Sequence, residues 1–383
     1  MSKKINNKTK TLPAAGVHNE AVAVERAISE LRSGRPVAIR LGRTYIVAAG
    51  IEALEADFAE QLWRNAKQMP RLVLSAARLR RLGLERKVDG AFAMPTIDFE
   101  RIANLSFETG ARFDAPVAQL GKHDAAAIEL ARLAFILPAI VTVQVAATFV
   151  STLDLIEVEP ASIHRYREDR VASLKIVSRA RVPLEDGVES EFVVFRGGEG
   201  LRDQVAVIVG KPDINEPVSI RLHSACLTGD LFGSMKCDCG DQLRHTVKFM
   251  AENNGGVLLY LDQEGRGNGL ANKIRAYRLQ AEGFDTYDAD EIIGFDHDQR
   301  RFDFAAQMLV QLGVTQVRVL TNNPEKMAAL EGAGLKIVAD QRIIGRLNDH
   351  NIRYLASKRD KMGHFIDANI HETLAAAGDK PAV

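Results

Sequence analysis

Apolar and polar residues follow two rhythms along the chain. Residues 21–31 carry apolar side chains at helical spacing and stop at Gly34, which predicts a helix. Residues 37–40 and 44–48 predict short strands, and residues 52–66 and 124–134 predict two more helices. The apolar run 136–145 then predicts a buried strand. Residues 157–170 are charged and helical in pattern, with Pro160 near the start, and read as a connector. The expectation is an α/β domain over residues 19–172.

The second half alternates strand and helix. Residues 218–222 predict a strand, and residues 241–251 a helix with Leu243, Val247 and Met250 on one face, closed by Gly255 and Gly256. A strand at 257–261 runs into the loop D-Q-E-G-R-G-N-G-L. The next helix starts at Leu270, its apolar positions Leu270, Ile274, Tyr277 and Ala281 recurring at helical spacing until Gly283. Residues 317–320 predict another strand, 321–323 a cap, and Pro324 the first residue of a helix. The fold class is therefore α/β with two α/β domains, the second spanning residues 173–367. Residues 1–18 and 368–383 read as unstructured tails.

Composition narrows the function. A chain of 383 residues with 46% hydrophobic and 26% charged positions can bury sizeable cores. Fifty basic and fifty acidic residues cancel, which argues against a nucleic-acid or membrane partner but leaves room for a local phosphate site. The most apolar stretch, 130–150, is interrupted by Arg132, Pro138 and Gln144, and suits a helix followed by a strand better than a membrane span. The first residues are polar and basic, without a secretory apolar core, and the cysteines show no disulfide framework, so a reducing cytoplasm is expected.

All three cysteines, Cys226, Cys237 and Cys239, fall in one window of fourteen residues. Thiolates at C-x10-C-x-C spacing can converge on one Zn²⁺, and three protein ligands leave a fourth position open for water, as in catalytic sites. A closed structural site would need a fourth ligand, for which His223 and His245 are the nearby candidates. Three small buried hydrophobes are the remaining reading.

Three other junctions carry polar residues. The loop at 262–270 either cradles phosphate on backbone N–H groups or is a simple turn. Within it the Glu264 carboxylate can accept from a purine's N–H groups while Arg266 meets phosphate. Thr321 stands before a helix N-terminus with Lys326 close by, which suits an anion or simply a good cap. The cluster Asp296, His297, Asp298, Arg300 and Arg301 supplies a base and cations, or is an exposed loop.

In this order the motifs H-S-x-C-L-T-G-D-x-F-G-S-x-x-C-D-C-G, Q-E-G-R-G, N-K-I-R-A-Y, D-T, G-F-x-x-D-x-R, L-T-N-N-P and K-x-x-K-M-G-H closely resemble GTP cyclohydrolase II, the enzyme that opens riboflavin biosynthesis. The resemblance spans residues 175–366. It implies that Cys226, Cys237 and Cys239 bind Zn²⁺, and that Arg221, Leu222, His223, Ser224, Ala225, Gln242, Glu264, Gly265, Arg266, Thr286, Thr321 and Lys326 contact GTP. It further implies Asp298 as general base, Arg300 as the residue acting at the α-phosphorus, Tyr277 as an assisting tyrosine, Mg²⁺ on the triphosphate, and a homodimer. A guanidinium is a poor nucleophile while protonated, so Arg300 can instead stabilise charge. The chain departs from the family pattern at Ala225, where Glu is common, and at Asp262, Asn268 and Arg301.

The first domain faintly resembles 3,4-dihydroxy-2-butanone 4-phosphate synthase through A-I-S-E-L-R-S-G-R-P-V-A-I and H-D-A-A-A-I-E-L-A-R-L-A. In place of an acidic run stands R-L-G-R-T-Y-I-V-A-A-G, which lacks carboxylates for Mg²⁺. A degenerate domain with a structural, dimerising or regulatory role is expected.

Overall fold

A computed structural model describes residues 15–113, 115–185, 188–197, 203–296 and 299–343. Its first half runs α1 (Ala15–Arg32), β1 (Val37–Leu41), β2 (Thr44–Gly50), α2 (Ala56–Arg64), β3 (Arg71–Leu74), α3 (Ala76–Arg81), β4 (Gly90–Ala93), α4 (Phe99–Phe107), β5 (Ala118–Gln119), α5 (Lys122–Leu133), β6 (Ala139–Val145), α6 (Ala147–Thr152), β7 (Glu157–Val158) and α7 (Pro160–Ala172). The seven strands order as β5-β4-β3-β6-β2-β1-β7, antiparallel except for the β1/β7 pair. One face of this sheet is covered by α1, α5 and α7 through Val24, Leu31, Leu130 and Tyr166, and the other by α2, α3 and α4 through Leu62, Leu79 and Ile102.

The predicted helix over 52–66 is split. Residues Ile51–Ala53 form a 3₁₀ turn, Leu54 and Glu55 are extended, and α2 starts afterwards. The charged segment 157–170 is more than a connector: Ile163 and Tyr166 of α7 are almost fully buried in the first domain's core. Burial of polar stems beside apolar ones hides this from a charge count. The run 130–150 divides into α5, a left-handed turn at Phe135, and β6. Among the described residues no helix is long and apolar enough to cross a membrane.

The second half runs β8 (Lys175–Arg181), β9 (Ser190–Arg196), β10 (Gln204–Val209), β11 (Val218–Ser224), α8 (Leu227–Asp230), α9 (Cys239–Glu252), β12 (Gly256–Leu261), α10 (Leu270–Ala281), α11 (Thr286–Ile292), α12 (Asp303–Gln311), β13 (Gln316–Leu320), α13 (Pro324–Gly332) and β14 (Lys336–Gln341). Its sheet orders as β14-β13-β11-β12-β10-β9-β8. The first four strands are parallel and the last three add antiparallel. Phe304, Met308 and Leu309 of α12 and Leu330 of α13 pack one face, and Met250 of α9 the other. The parallel strands β11, β12 and β13 therefore deliver their C-terminal loops to one edge, where α/β proteins collect binding groups.

The spacing predicted α10 correctly but its buried face incorrectly. Leu270 and Ile274 are exposed, while Asn272, Ala276 and Leu279 face inward. The inward face is chosen by Leu137 of the first domain together with Ala289, Ile292, Ile293 and Phe295, an apolar cluster that joins the two halves. Tertiary packing overrides the apolar rhythm there.

Candidate active site

Strand β11 continues through Ser224, and Ala225 N–H still donates to the carbonyl of Leu261 at 2.7 Å. The chain then turns, so that Cys226 precedes α8 and Cys239 opens α9. The sulfurs of Cys226, Cys237 and Cys239 lie within 4.8 Å of one another, with Cys226 Sγ 3.6 Å from Cys237 Sγ. Gly229 lets them converge: a methyl on its Cα would lie 2.7 Å from Cys237 Sγ and 3.0 Å from Cys226 Sγ.

Neither histidine completes the cluster. His223 is buried, its Nε2 3.1 Å from both oxygens of Asp230, and burial in the first place holds its pKa below the usual range. The same Asp230 accepts from Cys226 N–H and from Tyr260 Oη, each at 2.9 Å. His245 is exposed on α9. Among the described residues the three cysteines alone form a metal-ligating group.

One negative charge is already favoured at the cluster. Hydrogen bonds from the thiols of Cys237 and Cys239, and then the ammonium of Lys273, hold Cys226 well below the usual thiol range. The shared contact with Cys226 pushes Cys237 up to about 11 and raises Cys239 as well. Lys273 Nζ lies 3.1 Å from Cys226 Sγ and 2.7 Å from Glu264 Oε1. Burial opposes its charge, but Tyr277, Cys226 and Glu264 outweigh burial and raise its pKa.

The cysteines open on a solvent-accessible cleft. Ser224, Ala225, Glu264, Gly265, Arg266, Tyr277, Thr286 and Arg300 line it with them. The loop after β12 is a 3₁₀ turn in which Gly265 and Arg266 take left-handed φ of 62° and 59°. A side chain in that region carries strain, which here directs Arg266 against Asp290 at 3.1 Å and over the Tyr287 ring at 4.5 Å. Glu264 Oε2 accepts from Leu227 N–H at 2.6 Å, so this carboxylate ties the loop to α8 as well as to Lys273. Burial raises the Tyr277 phenol, which therefore stays protonated.

Six expected residues sit behind the cleft rather than on its lining. Arg221 is buried, donating to the Leu320 carbonyl at 3.1 Å and to Gln242. Lys326 Nζ donates to the Leu222 carbonyl at 2.7 Å, and Thr321 Oγ1 accepts from Asn323 N–H at 3.1 Å. With His223 these side chains brace the ends of β11 and β13. Asn323 Oδ1 accepts from Glu325 N–H at 2.8 Å, so the capping reading of T-N-N-P is realised. Asp298, its neighbour His297, and the K-x-x-K-M-G-H segment lie outside the described residues.

Several lining residues escaped sequence reasoning: Lys236, Gln263, Lys273, Ala276, Gln280 and Asp290. A signal existed for α10, because Lys273, Ala276, Tyr277 and Gln280 share one helical face at spacings of three and four.

Residues 175–342 match the family model of GTP cyclohydrolase II. A GTP cyclohydrolase-2 of Xylella fastidiosa strain Temecula1 is 40% identical over 371 residues, covering 95% of this chain and 92% of the relative. That of Azospirillum brasilense is 40% identical over 360 residues, covering 90% and 94%. That of Azotobacter vinelandii is 44% identical over 200 residues, covering 52% of this chain and 95% of the relative. A solved two-domain 3,4-dihydroxy-2-butanone 4-phosphate synthase from A. baumannii aligns with 83% of this chain and 99% of its own at 17% identity and a TM-score of 0.32, too slight a likeness to carry an argument. With two relatives at 40% identity matched along nearly their whole length, the chain belongs to the GTP cyclohydrolase II family.

Proposed function

We propose that this protein hydrolyses GTP to 2,5-diamino-6-ribosylamino-4(3H)-pyrimidinone 5′-phosphate, formate and pyrophosphate, the first step of riboflavin biosynthesis. The observation that carries the reading is the opening of the three-thiol cluster onto the cleft that Glu264, Arg266, Tyr277 and Arg300 line. The donor set fits Zn²⁺: three soft sulfurs within 4.8 Å and a hydrogen-bonding ammonium beside one of them. Cys226, Cys237 and Cys239 would hold the ion, which when bound lowers the pKa of a coordinated water toward about 7. Mg²⁺ arrives with the triphosphate.

The chain's own residues supply the rest. Arg266 and Thr286 face the cleft where phosphate and base must lie, and Lys273, 2.7 Å from Glu264 Oε1, positions that carboxylate for the purine's N–H groups. The protonated phenol of Tyr277 donates to an oxygen or nitrogen that gains charge. Arg300, permanently cationic, stabilises charge at the α-phosphorus. Asp298, three residues after Phe295, takes the role of general base. The buried residues Arg221, Leu222, His223, Thr321 and Lys326, with the half-buried Gln242 of α9 against Arg221, hold the strand ends in register beneath the nucleotide. Residues 19–172 form a non-catalytic domain, residues 173–367 the catalytic one, and the protein works as a homodimer. In support of the first of these, the segment where Mg²⁺-binding carboxylates are needed is a tight β1/β2 hairpin through Gly42 and Arg43.

The test is incubation of purified protein with GTP, Zn²⁺ and Mg²⁺, following formate, pyrophosphate and the diaminopyrimidine. All three are expected. Binding of GTP without any product would instead identify a regulatory nucleotide-binding paralogue. Cys237→Ser is expected to abolish formate release and lower the zinc content, and full formate release by that variant would remove the metal from the reaction.

A further inference from the structure

The first domain touches the cleft's scaffold through one unusual buried residue. Arg78 of α3 is 2% exposed, and no carboxylate accepts from it among its hydrogen bonds. Its Nε donates to the Leu105 carbonyl at 2.7 Å, and Nη2 donates to Asn104 and Glu108 carbonyls, both at 2.8 Å. Those carbonyls belong to the C-terminal end of α4, in the same domain. Nη1 crosses to the other domain and donates to the Ile292 carbonyl, the last residue of α11, at 2.9 Å. One guanidinium thus caps two helix C-termini, where unpaired carbonyls and the negative end of the helix dipole favour a cation.

The rest of α3 follows the same path. Ser75 Oγ donates to the Gly294 carbonyl at 2.5 Å, just past α11. Arg80 pairs with Glu291 at 2.9 Å and Asp296 at 3.2 Å, and Arg81 pairs with Glu291 at 3.2 Å and with Asp288. Beneath these polar contacts Leu137 packs against Ile292 and Phe295. Every one of these contacts lands on α11 or the few residues after it.

Helix α11 is in turn a wall of the cleft. Thr286 at its start and Asp290 in its middle both line it, and Asp290 holds Arg266. Arg266 O accepts from Gln299 N–H at 3.1 Å, which places the chain just before Arg300.

We infer that Arg78 is a positioning residue for the nucleotide cleft. By capping α11 from the first domain it sets Thr286 and Asp290, and through Asp290 it sets Arg266. The first domain, without a reaction of its own, is then a working part of the second domain's site. This rests on the cleft being the GTP site proposed above.

The experiment compares full-length wild type, Arg78→Met and Arg80→Gln/Arg81→Gln. Three readouts are needed: thermal unfolding, steady-state kinetics with GTP, and hydrogen–deuterium exchange of peptides covering residues 286–296. A variant that merely lowers the amount of folded protein reduces kcat and leaves KM unchanged. A loosened α11 raises KM and speeds exchange at 286–296 in protein that is still folded. For Arg78→Met the expected rise is about tenfold in both, equivalent to about 1.4 kcal/mol, close to the contribution of one hydrogen bond from a charged donor. Peptides from β6 should exchange as in wild type. Wild-type KM together with wild-type exchange at 286–296 in a folded Arg78→Met would overturn the inference. If Arg78→Met does not fold, the double variant decides: raised KM and exchange support the coupling, and wild-type values for both refute it. If wild type itself does not turn GTP over, the functional reading fails while the exchange data still judge the coupling.

Discussion

Gly229→Ala tests the geometry of the thiol cluster with a single added methyl. The new carbon would lie 2.7 Å from Cys237 Sγ, 3.0 Å from Cys226 Sγ and 3.1 Å from Cys239 Cβ. Carbon atoms rest at about 3.5–4.0 Å from one another and sulfur is larger, so at least one thiol must retreat by about 1 Å. Overpacking of this kind costs about 1–3 kcal/mol. Because all three near atoms belong to the cysteines, the cost falls on their convergence. At 1.4 kcal/mol per tenfold change, zinc should bind about 5- to 140-fold more weakly. The assay is chelator competition for Zn²⁺ on wild type and variant, with metal-free melting curves recorded in parallel. Zinc affinity within about twofold of wild type would refute the placement of Gly229 against the thiols. Gly240→Ala serves as a contrast. Its methyl would fall 2.2 Å from the Gly229 carbonyl oxygen, so it should lower the melting temperature as well as the zinc affinity.

Lys273→Met removes the ammonium that lies 3.1 Å from Cys226 Sγ and 2.7 Å from Glu264 Oε1. Loss of such a supporting partner should lower zinc affinity or GTP turnover by about 10- to 100-fold, and unchanged values of both would deny Lys273 that role. Phe304 is fully buried between α12 and the second sheet, so Phe304→Ala should cost about 3–5 kcal/mol in urea unfolding. A cost under about 1 kcal/mol would mean that the core can collapse around the deletion. Ribulose 5-phosphate incubated with the protein and Mg²⁺ should remain unconsumed by mass spectrometry, and its conversion would show that the first domain keeps a reaction after all.

What was legible in the sequence depended on how local its cause is. Cys226, Cys237 and Cys239 stand within fourteen residues, so their convergence could be read from spacing and ligand chemistry alone. The cap and helix at Asn323 and Pro324 were legible for the same reason. The buried face of α10 was not, because Leu137 and Ile293 determine it from elsewhere in the chain. Strands β8, β9 and β10 also passed unread. Strand β8 is an edge with mostly exposed positions and carries no clear alternation. Within the candidate site, the family resemblance places Arg221 and Lys326 together with Arg266 among the GTP contacts. The fold separates them by depth: Arg221 and Lys326 are spent on the carbonyls of Leu320 and Leu222, while Arg266 reaches the cleft. Asp290 and Lys273 were missed because their partners, Arg266 and Cys226, are distant in the chain.

The double cap at Arg78 also bears on how such a chain can be inherited. Two halves joined only by a linker can be exchanged between genes freely. Here a transplanted second half would arrive with the end of α11 stripped of its donor, and the abandoned first half would keep a cation facing solvent. Recombination between the two halves is therefore penalised unless both sides of the contact travel together. The first half can persist in a genome for that reason alone, whatever chemistry it carries.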